Sequence, residues 1–295
     1  MSRILVTGAT GNLGAATVDF LLKRTDAANI VALVRDADNE KAQALKAKGV
    51  EVRTGDYNNY PSLVNAFKGI DKLYFVSGND LEHRLEQHEN VVKAAVEAKL
   101  KLVVYTSVPR KNESATSPIF PLLDSHVKTE NLLIASRIPY TILKHNLYME
   151  MLPAFLGEQL LQTGVAYFPA GEGKVSFTSR MDMAEAAAAL LTTEGHENKV
   201  YDMTNNKTVS FPEIAAEISK ISGKAISYVS PSQEEYRSTL LAAGVPAHYV
   251  GVFAGFAEGF KQQEFDQTNN LIETLTGRKP LSVSEFLAQV YAAKN

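Results

Sequence analysis

One stretch near the N-terminus constrains this chain more than any other: Ile4-Leu5-Val6-Thr7-Gly8-Ala9-Thr10-Gly11-Asn12-Leu13-Gly14. A short apolar run ends in glycines spaced G-x-x-G-x-x-G, and an amphipathic pattern follows at once with Leu13, Ala16, Val18, Leu21 and Leu22. This order predicts strand, tight turn and helix. Such a turn aims several backbone N–H groups, and the positive end of a helix dipole, at one spot where a pyrophosphate fits. One glycine allows the turn, one lets phosphate approach the backbone, and one lets helix and strand pack closely. The bland alternative is a plain glycine-rich turn. The position directly after a buried-looking strand favours the nucleotide reading.

The pattern then repeats. Asn29 to Arg35 is a second, nearly all-apolar run, as strands covered on both faces tend to be. A polar helix over about 39–48, a strand at 50–53, a short helix over 61–67 and a strand from Lys72 to Gly78 come next. A helix over 85–98 and a strand from Lys101 to Ser107 complete five alternations. Such alternation predicts an α/β fold with a doubly wound parallel sheet, in which ligands bind beyond the C-terminal strand ends. The strand ends to watch are Arg35, Asp56, Val76 to Gly78, and Ser107. Arg35 ends the second strand, where dinucleotide folds hold the adenosine ribose. An arginine there suits the 2′-phosphate of NADP; the alternative is that Asp36 binds the ribose 2′-hydroxyl of NAD.

Residues 108–121 contain three prolines and read as a loop over the strand ends, followed by a helix over about 124–136 and a strand from Pro139 to Leu143. From Met151 the alternation weakens. Residues 182–193 (DMAEAAAALLTT) form a strong helical pattern, and 200–203 a strand. Ser210 with Glu213, Ser232 with Glu235, and Ser282 with Glu285 read as capping boxes. The expected organisation is a nucleotide-binding region over 1–150, with 178–205 returning to it. Residues 151–177 and 206–295 then make a smaller, mainly helical substrate region.

The 295 residues carry a net charge of -3 and no cysteine. That excludes disulfides, thiolate metal sites and cysteine nucleophiles, and gives no basic tract for nucleic acid or a membrane surface. No apolar run reaches the ~20 residues that span a bilayer. The chain enters its first strand at once, so a soluble, cytoplasmic location is expected, as a monomer or homodimer.

Together, Thr7 to Gly14, Leu33-Val34-Arg35, Gly55-Asp56-Tyr57, Tyr105-Thr106-Ser107 and Thr129-Glu130 resemble an NmrA-like atypical short-chain dehydrogenase. Pro139-Tyr140-Thr141 with Tyr148, and Glu194 to Lys199, resemble the subgroup of bacterial NADPH-dependent quinone reductases and triphenylmethane reductases. The resemblance implies a Rossmann fold that takes NADP(H). It implies that Gly8, Thr10, Gly11, Asn12, Leu13 and Gly14 hold the pyrophosphate and Arg35 the 2′-phosphate. Asp56 and Tyr57 would lie near the adenine, and Ser77 and Gly78 along the nicotinamide ribose.

Ordinary short-chain dehydrogenases place a tyrosine, and a lysine four residues later, on the helix after the fifth strand. Counting back from Glu130, those positions hold Leu122 and His126. The usual proton-donating dyad is missing. A quinone or cationic dye makes fewer demands, because hydride adds to an electron-poor carbon and cofactor positioning supplies most of the catalysis. His126 is the catalytic candidate, as a contact to the nicotinamide ribose or as a proton donor titrating near neutrality; the alternative is an idle helix-surface histidine. Lys128 points about 200° away on the same helix. His145 and Tyr148 are substrate candidates, Ser107 counts among the cofactor-binding candidates and sits where a substrate-polarising serine is usual, and Tyr105 reads as core. His83 and His88 read as surface residues, and no metal site is expected. Phe155, Tyr167, Phe168 and Phe177 are candidate pocket walls. Two functions compete: hydride transfer from NADPH to a quinone or similar electron-poor aromatic, and a non-catalytic NADP(H)-binding redox sensor of the NmrA type.

Overall fold

The computed structural model describes residues 2–292. Residues 1 and 293–295, at the outer ends of the two expected regions, lie outside the described residues. The first half alternates as predicted: β1 (Ile4–Val6), α1 (Asn12–Leu21), β2 (Ile30–Val34), α2 (Glu40–Ala47), β3 (Glu51–Thr54), α3 (Tyr60–Ala66), β4 (Lys72–Phe75), α4 (Arg84–Glu97), β5 (Leu102–Ser107), α5 (Phe120–Ser136) and β6 (Tyr140–His145). After it come α6 (Leu152–Leu156), α7 (Leu160–Thr163), β7 (Val165–Tyr167), β8 (Lys174–Val175), α8 (Arg180–Thr192) and β9 (Lys199–Met203). The chain closes with β10 (Val209–Ser210), α9 (Phe211–Ser222), β11 (Ser227–Val229), α10 (Gln233–Ala242), α11 (Ala247–Lys261), α12 (Leu271–Thr276) and α13 (Val283–Tyr291).

Seven strands form one sheet in the order β3-β2-β1-β4-β5-β6-β9. Every pair in it is parallel. The alternation of side chains assigns the two faces. Ile4, Val6, Ala32, Tyr74 and Val104 pack under α1 and α8, while Leu5, Val31, Leu33, Phe75, Val103 and Tyr105 pack under α3 and α4. The chain reverses strand order between β1 and β4, and the crevice that opens there is where such sheets hold ligands.

Helix α8 packs along α1 through a fully buried small-residue run, Ala184 and Ala186 to Ala189, and β9 pairs with β6 at the sheet edge. The helix begins two residues earlier than the pattern suggested, because Ser179 caps it by accepting the Met181 N–H. Helix α5 likewise starts at Phe120, since Pro121 is tolerated in a first turn.

The remaining elements build a third core around Phe155, Phe168, Phe177, Phe211 and Phe260. This part is helical as expected but also holds two small sheets, β8–β10 antiparallel and β7–β11 parallel. Capping boxes close at Ser210 and Ser282. The Ser232 box is half formed: its hydroxyl accepts the Glu235 N–H, but the Glu235 carboxylate accepts from the Tyr167 hydroxyl at 3.1 Å instead of reaching back.

Candidate functional site

A cleft of about 760 Å³ runs along the C-terminal strand ends. It falls within the ~300–1,000 Å³ usual for ligand and cofactor sites. One end is the β1–α1 turn. Gly8 has φ +59°, a left-handed conformation that glycine adopts without strain. Gly11 donates its N–H to the Gly8 carbonyl at 2.8 Å. A Cβ on Gly14 would stand 2.3 Å from that same oxygen, so only glycine lets α1 start this close to the strand. Helix α1 has no side-chain cap and no acid in its first turn, which leaves its N–H groups and dipole open to the cleft. Thr7 braces the turn from below, accepting the Val76 N–H at 2.9 Å and the Tyr57 hydroxyl at 2.6 Å.

Gly8, Thr10, Gly11, Asn12, Leu13, Gly14, Arg35, Asp56, Tyr57, Ser77, Gly78, Ser107, His126, His145 and Tyr148 all line this one cleft. Arg35 is exposed at the end of β2 and makes no ion pair with a described residue. Lys41 reaches in from α2 to the Thr10 carbonyl at 3.2 Å. The Tyr57 hydroxyl is spent on Thr7 and on the Val76 carbonyl, so this ring offers the cleft a face or an edge and no free donor.

The far end of the cleft is a buried polar cluster. His126 Nδ1 lies within hydrogen-bond distance of the Tyr105 hydroxyl, 2.7 Å away, and burial with the nearby Arg84 guanidinium drives its pKa well below the ordinary value. The ring is therefore neutral at pH 7, and with Tyr105 as the donor to Nδ1 its proton is assigned to Nε2. This corrects the expectation of a side chain titrating near neutrality: His126 can donate a hydrogen bond but holds no spare proton. His88, expected at the surface, is fully buried. Its Nε2 accepts the Gly78 N–H at 3.0 Å and its Nδ1 meets Thr129 Oγ1 at 2.8 Å, which fixes the turn after β4 on α4 and α5. Burial, then Arg84, pushes its pKa down to about 3.

Ser107 is committed elsewhere. Its hydroxyl donates to Glu130, whose carboxylate also takes a bidentate pair from Arg110 at 2.7 and 2.6 Å. With its proton bound, it cannot polarise a substrate carbonyl. Lys128 faces outward and pairs with Asp124. His145 is buried, and its Nε2 has no hydrogen-bond partner among the described residues. Burial holds its pKa down at about 3. Tyr148 is pushed up to about 12 by burial, and Arg180 lies 4.2 Å over its ring.

The expected aromatic walls are elsewhere. Phe155, Phe168 and Phe177 are fully buried in the C-terminal core, and Tyr167 packs against it. The apolar wall comes instead from Val108, Met151 and Phe256. Sequence reasoning also missed Arg84, Gln87 and His88. They sit at i, i+3 and i+4 of α4, in line with the buried Val91 and Ala95. Polar residues at the core positions of an amphipathic helix were the available signal.

The NmrA-like family model matches residues 1–287. Quinone oxidoreductase 2 of Escherichia coli (strain K12) is 34% identical over 292 residues, which cover 99% of this chain and 100% of that one. The crystal structure of the E. coli NADPH-dependent quinone oxidoreductase complexed with NADPH superposes with a TM-score of 0.91 at 34% identity, over 98% of this chain and 99% of that one. Citrobacter sp. triphenylmethane reductase complexed with NADP(H) gives 0.88 at 38% identity, over 97% and 99%. With its parallel sheet, its glycine turn and a match over nearly its whole length, the chain belongs to the NmrA-like family.

Proposed function

We propose that this protein is an oxidoreductase that binds NADP(H) and passes hydride to a quinone or a similar electron-poor aromatic. The observation that carries the reading is the continuity of one cleft from the open N-terminus of α1, past the exposed Arg35, to the buried cluster at His126. Two relatives of similar size and more than 30% identity are described as complexed with NADPH or NADP(H). The residues present fit that group. Gly14 leaves room for phosphate at the helix start, Arg35 is a guanidinium with no ion-pair partner among the described residues, and His145 Nε2 is a buried polar atom beside the cleft with no hydrogen-bond partner among them.

In this reading the first-turn N–H groups of α1, with Gly8, Thr10, Gly11 and Asn12, hold the pyrophosphate. Arg35 pairs with the 2′-phosphate. Asp56 and the Tyr57 ring border the adenine, and Ser77 and Gly78 border the nicotinamide ribose. NADPH, when bound, supplies the hydride. Val108, Met151 and Phe256 exclude water from the acceptor, and His126 Nε2–H orients it as a neutral donor. Residues 1–150 with 178–205 would serve the nucleotide, and 151–177 with 206–295 would complete the acceptor pocket.

The test is steady-state oxidation of NADPH and NADH with a panel of quinones and triphenylmethane dyes. Acceptor-dependent oxidation with a preference for NADPH is expected. Tight NADPH binding without turnover on any acceptor would instead favour the redox-sensor reading.

A further inference from the structure

Next to His126 lies a second cavity of about 130 Å³, which shares Arg84, Val108, His126 and Phe256 with the main cleft. Its walls include Val108, Leu122, Leu123, Phe256 and Phe265, all apolar. Arg84 and His126 are its polar lining residues, and both also line the main cleft. A flat ring entering this cavity would leave its polar edge at the shared mouth.

Arg84 is unusual there. It is 8% exposed, yet no carboxylate lies within ion-pair distance among the described residues. Its Nε donates to the Gly78 carbonyl at 2.8 Å, and Nη1 makes only long contacts of 3.4 Å to the Leu122 carbonyl and Ser125 Oγ. Nη2 has no partner among the described residues. Arg110, the other deeply buried guanidinium near the cleft, shows the contrast, because Glu130 holds it with two hydrogen bonds. Asp80 acts on Arg84 only from beyond ion-pair distance, which leaves uncompensated much of the several kcal/mol that burying a cation costs, and an anion formed nearby offsets it. Burial also lowers the Arg84 pKa, as expected for a charge held away from water.

We propose that Arg84 binds the oxygen of the acceptor that becomes negatively charged, and so selects quinones over cationic acceptors. The inference rests on the reading above that the cleft takes NADPH and an aromatic acceptor. The quinone gains hydride from the nicotinamide at a ring carbon conjugated to a carbonyl, so a C–H bond forms there, the ring C=C pair shifts toward the carbonyl carbon and the carbonyl π pair moves onto oxygen. The cofactor leaves oxidised, and the first product is an enolate oxyanion; solvent protonates it, and loss of the ring C–H proton with protonation of the second oxygen gives the hydroquinone. Arg84 meets the oxyanion with charge, and His126 Nε2–H adds a neutral hydrogen bond. Both are in place before the reaction, as transition-state stabilisation requires. A cationic triphenylmethane dye gains hydride and becomes neutral. It makes no oxyanion, so Arg84 does nothing for it and repels its positive charge.

The experiment compares wild type with Arg84→Gln and Arg84→Lys on two acceptors, a neutral naphthoquinone and malachite green. Loss of one oxyanion donor costs about 10²–10³ in kcat. Arg84→Gln is expected to lower naphthoquinone turnover on that scale while dye reduction holds or rises, and Arg84→Lys is expected to recover part of the loss. Equal losses on both acceptors, or none on the quinone, overturn the proposal. A second readout does not depend on turnover. The phenolate absorbance of 4-nitrophenol is titrated with protein saturated in NADP+. Wild type is expected to favour the bound phenolate, and Arg84→Gln to lose that preference. Phenolate binding that does not differ between the two proteins refutes the anion site even if NADPH is oxidised. Failure of wild type to bind NADPH, read by its fluorescence, refutes the underlying reading instead. Leu122→Trp guards against misfolding of the arginine variants. It fills the cavity from its wall, and should abolish quinone turnover while NADPH still binds; unchanged quinone turnover would overturn the placement of the ring.

Discussion

Replacing Gly14 by alanine tests the geometry of the nucleotide turn most directly. The added Cβ would stand 2.3 Å from the Gly8 carbonyl oxygen, 2.7 Å from its carbon and 2.9 Å from the Thr7 oxygen. Non-bonded contact is comfortable from about 3.5 Å, so the start of α1 must retreat by roughly 1 Å. All three atoms are backbone, and no flexible side chain can yield. Overpacking of this kind costs about 1–3 kcal/mol, against a gain of about 1 kcal/mol in helix propensity for alanine over glycine. The net expectation is a loss of about 0–2 kcal/mol, read as a fall of up to several degrees in Tm at ~2–4 °C per kcal/mol. The first-turn N–H groups move with the helix. A hydrogen bond to a charged group is worth about 1.5–3 kcal/mol, so NADPH affinity should drop at least ~10-fold. Calorimetry and fluorescence titration read the two effects. Gly251→Ala is the control. It lies inside α11 with nothing within 4 Å of its Cβ position, and should stabilise by about 1 kcal/mol. A Gly14→Ala protein that melts at or above wild type and binds NADPH equally well would refute the close-approach argument.

Three further outcomes follow from the same structure. Arg35→Ala should weaken NADPH relative to NADH by about 1.5–3 kcal/mol, roughly 10–150-fold in the ratio of dissociation constants; equal losses for both would show that Arg35 does not hold the 2′-phosphate. His145 titrates at about 3 when folded against ~6.5 unfolded, so the unfolded chain takes up the proton first and stability is lost as pH falls from about 6.5 toward 3. His145→Asn should remove one proton's share, about 1.4 kcal/mol per pH unit, from the acid limb of denaturant-measured stability; an unchanged limb would contradict a buried neutral imidazole. Arg110→Ala strands the buried Glu130 carboxylate and should cost about 3–5 kcal/mol, most of which Arg110→Ala/Glu130→Gln should restore; chemical denaturation decides, and no recovery in the double variant would mean that the loss is one of packing.

The parts legible in the sequence were those written in short-range patterns. Glycines spaced three apart after an apolar run specify a turn whatever the rest of the chain does, and Arg35 is located by the end of its strand. The alternation of β and α elements gives the parallel sheet, and hence the edge where the cleft must lie. What escaped was set by distant partners. Ser107 looked available until Glu130 and Arg110 converged on it. His88 looked like a surface histidine because its partners, the Gly78 N–H and Thr129, come from elsewhere in the chain. Phe155, Phe168 and Phe177 gave no sign of which side they face; Phe211 and Phe260 draw them into a separate core. Arg84 was hidden for the opposite reason, since its interest lies in a partner it lacks.

The packing of α8 on α1 bears on how the protein is made. The helix that opens the nucleotide turn is translated well before the alanine-rich face that covers it, which arrives only after residue 180. Domains tend to fold as units during synthesis, N-terminal first. Here the first unit is left with an uncovered apolar flank while β7, β8 and the helices before them are still being translated. The nucleotide turn can form early, yet it has no second wall until α8 returns and β9 zips onto the sheet edge. A nascent chain stalled near residue 150 would therefore be sticky and would grip a dinucleotide weakly, and the cell would see a finished cofactor site only once the polypeptide had doubled back on its own beginning.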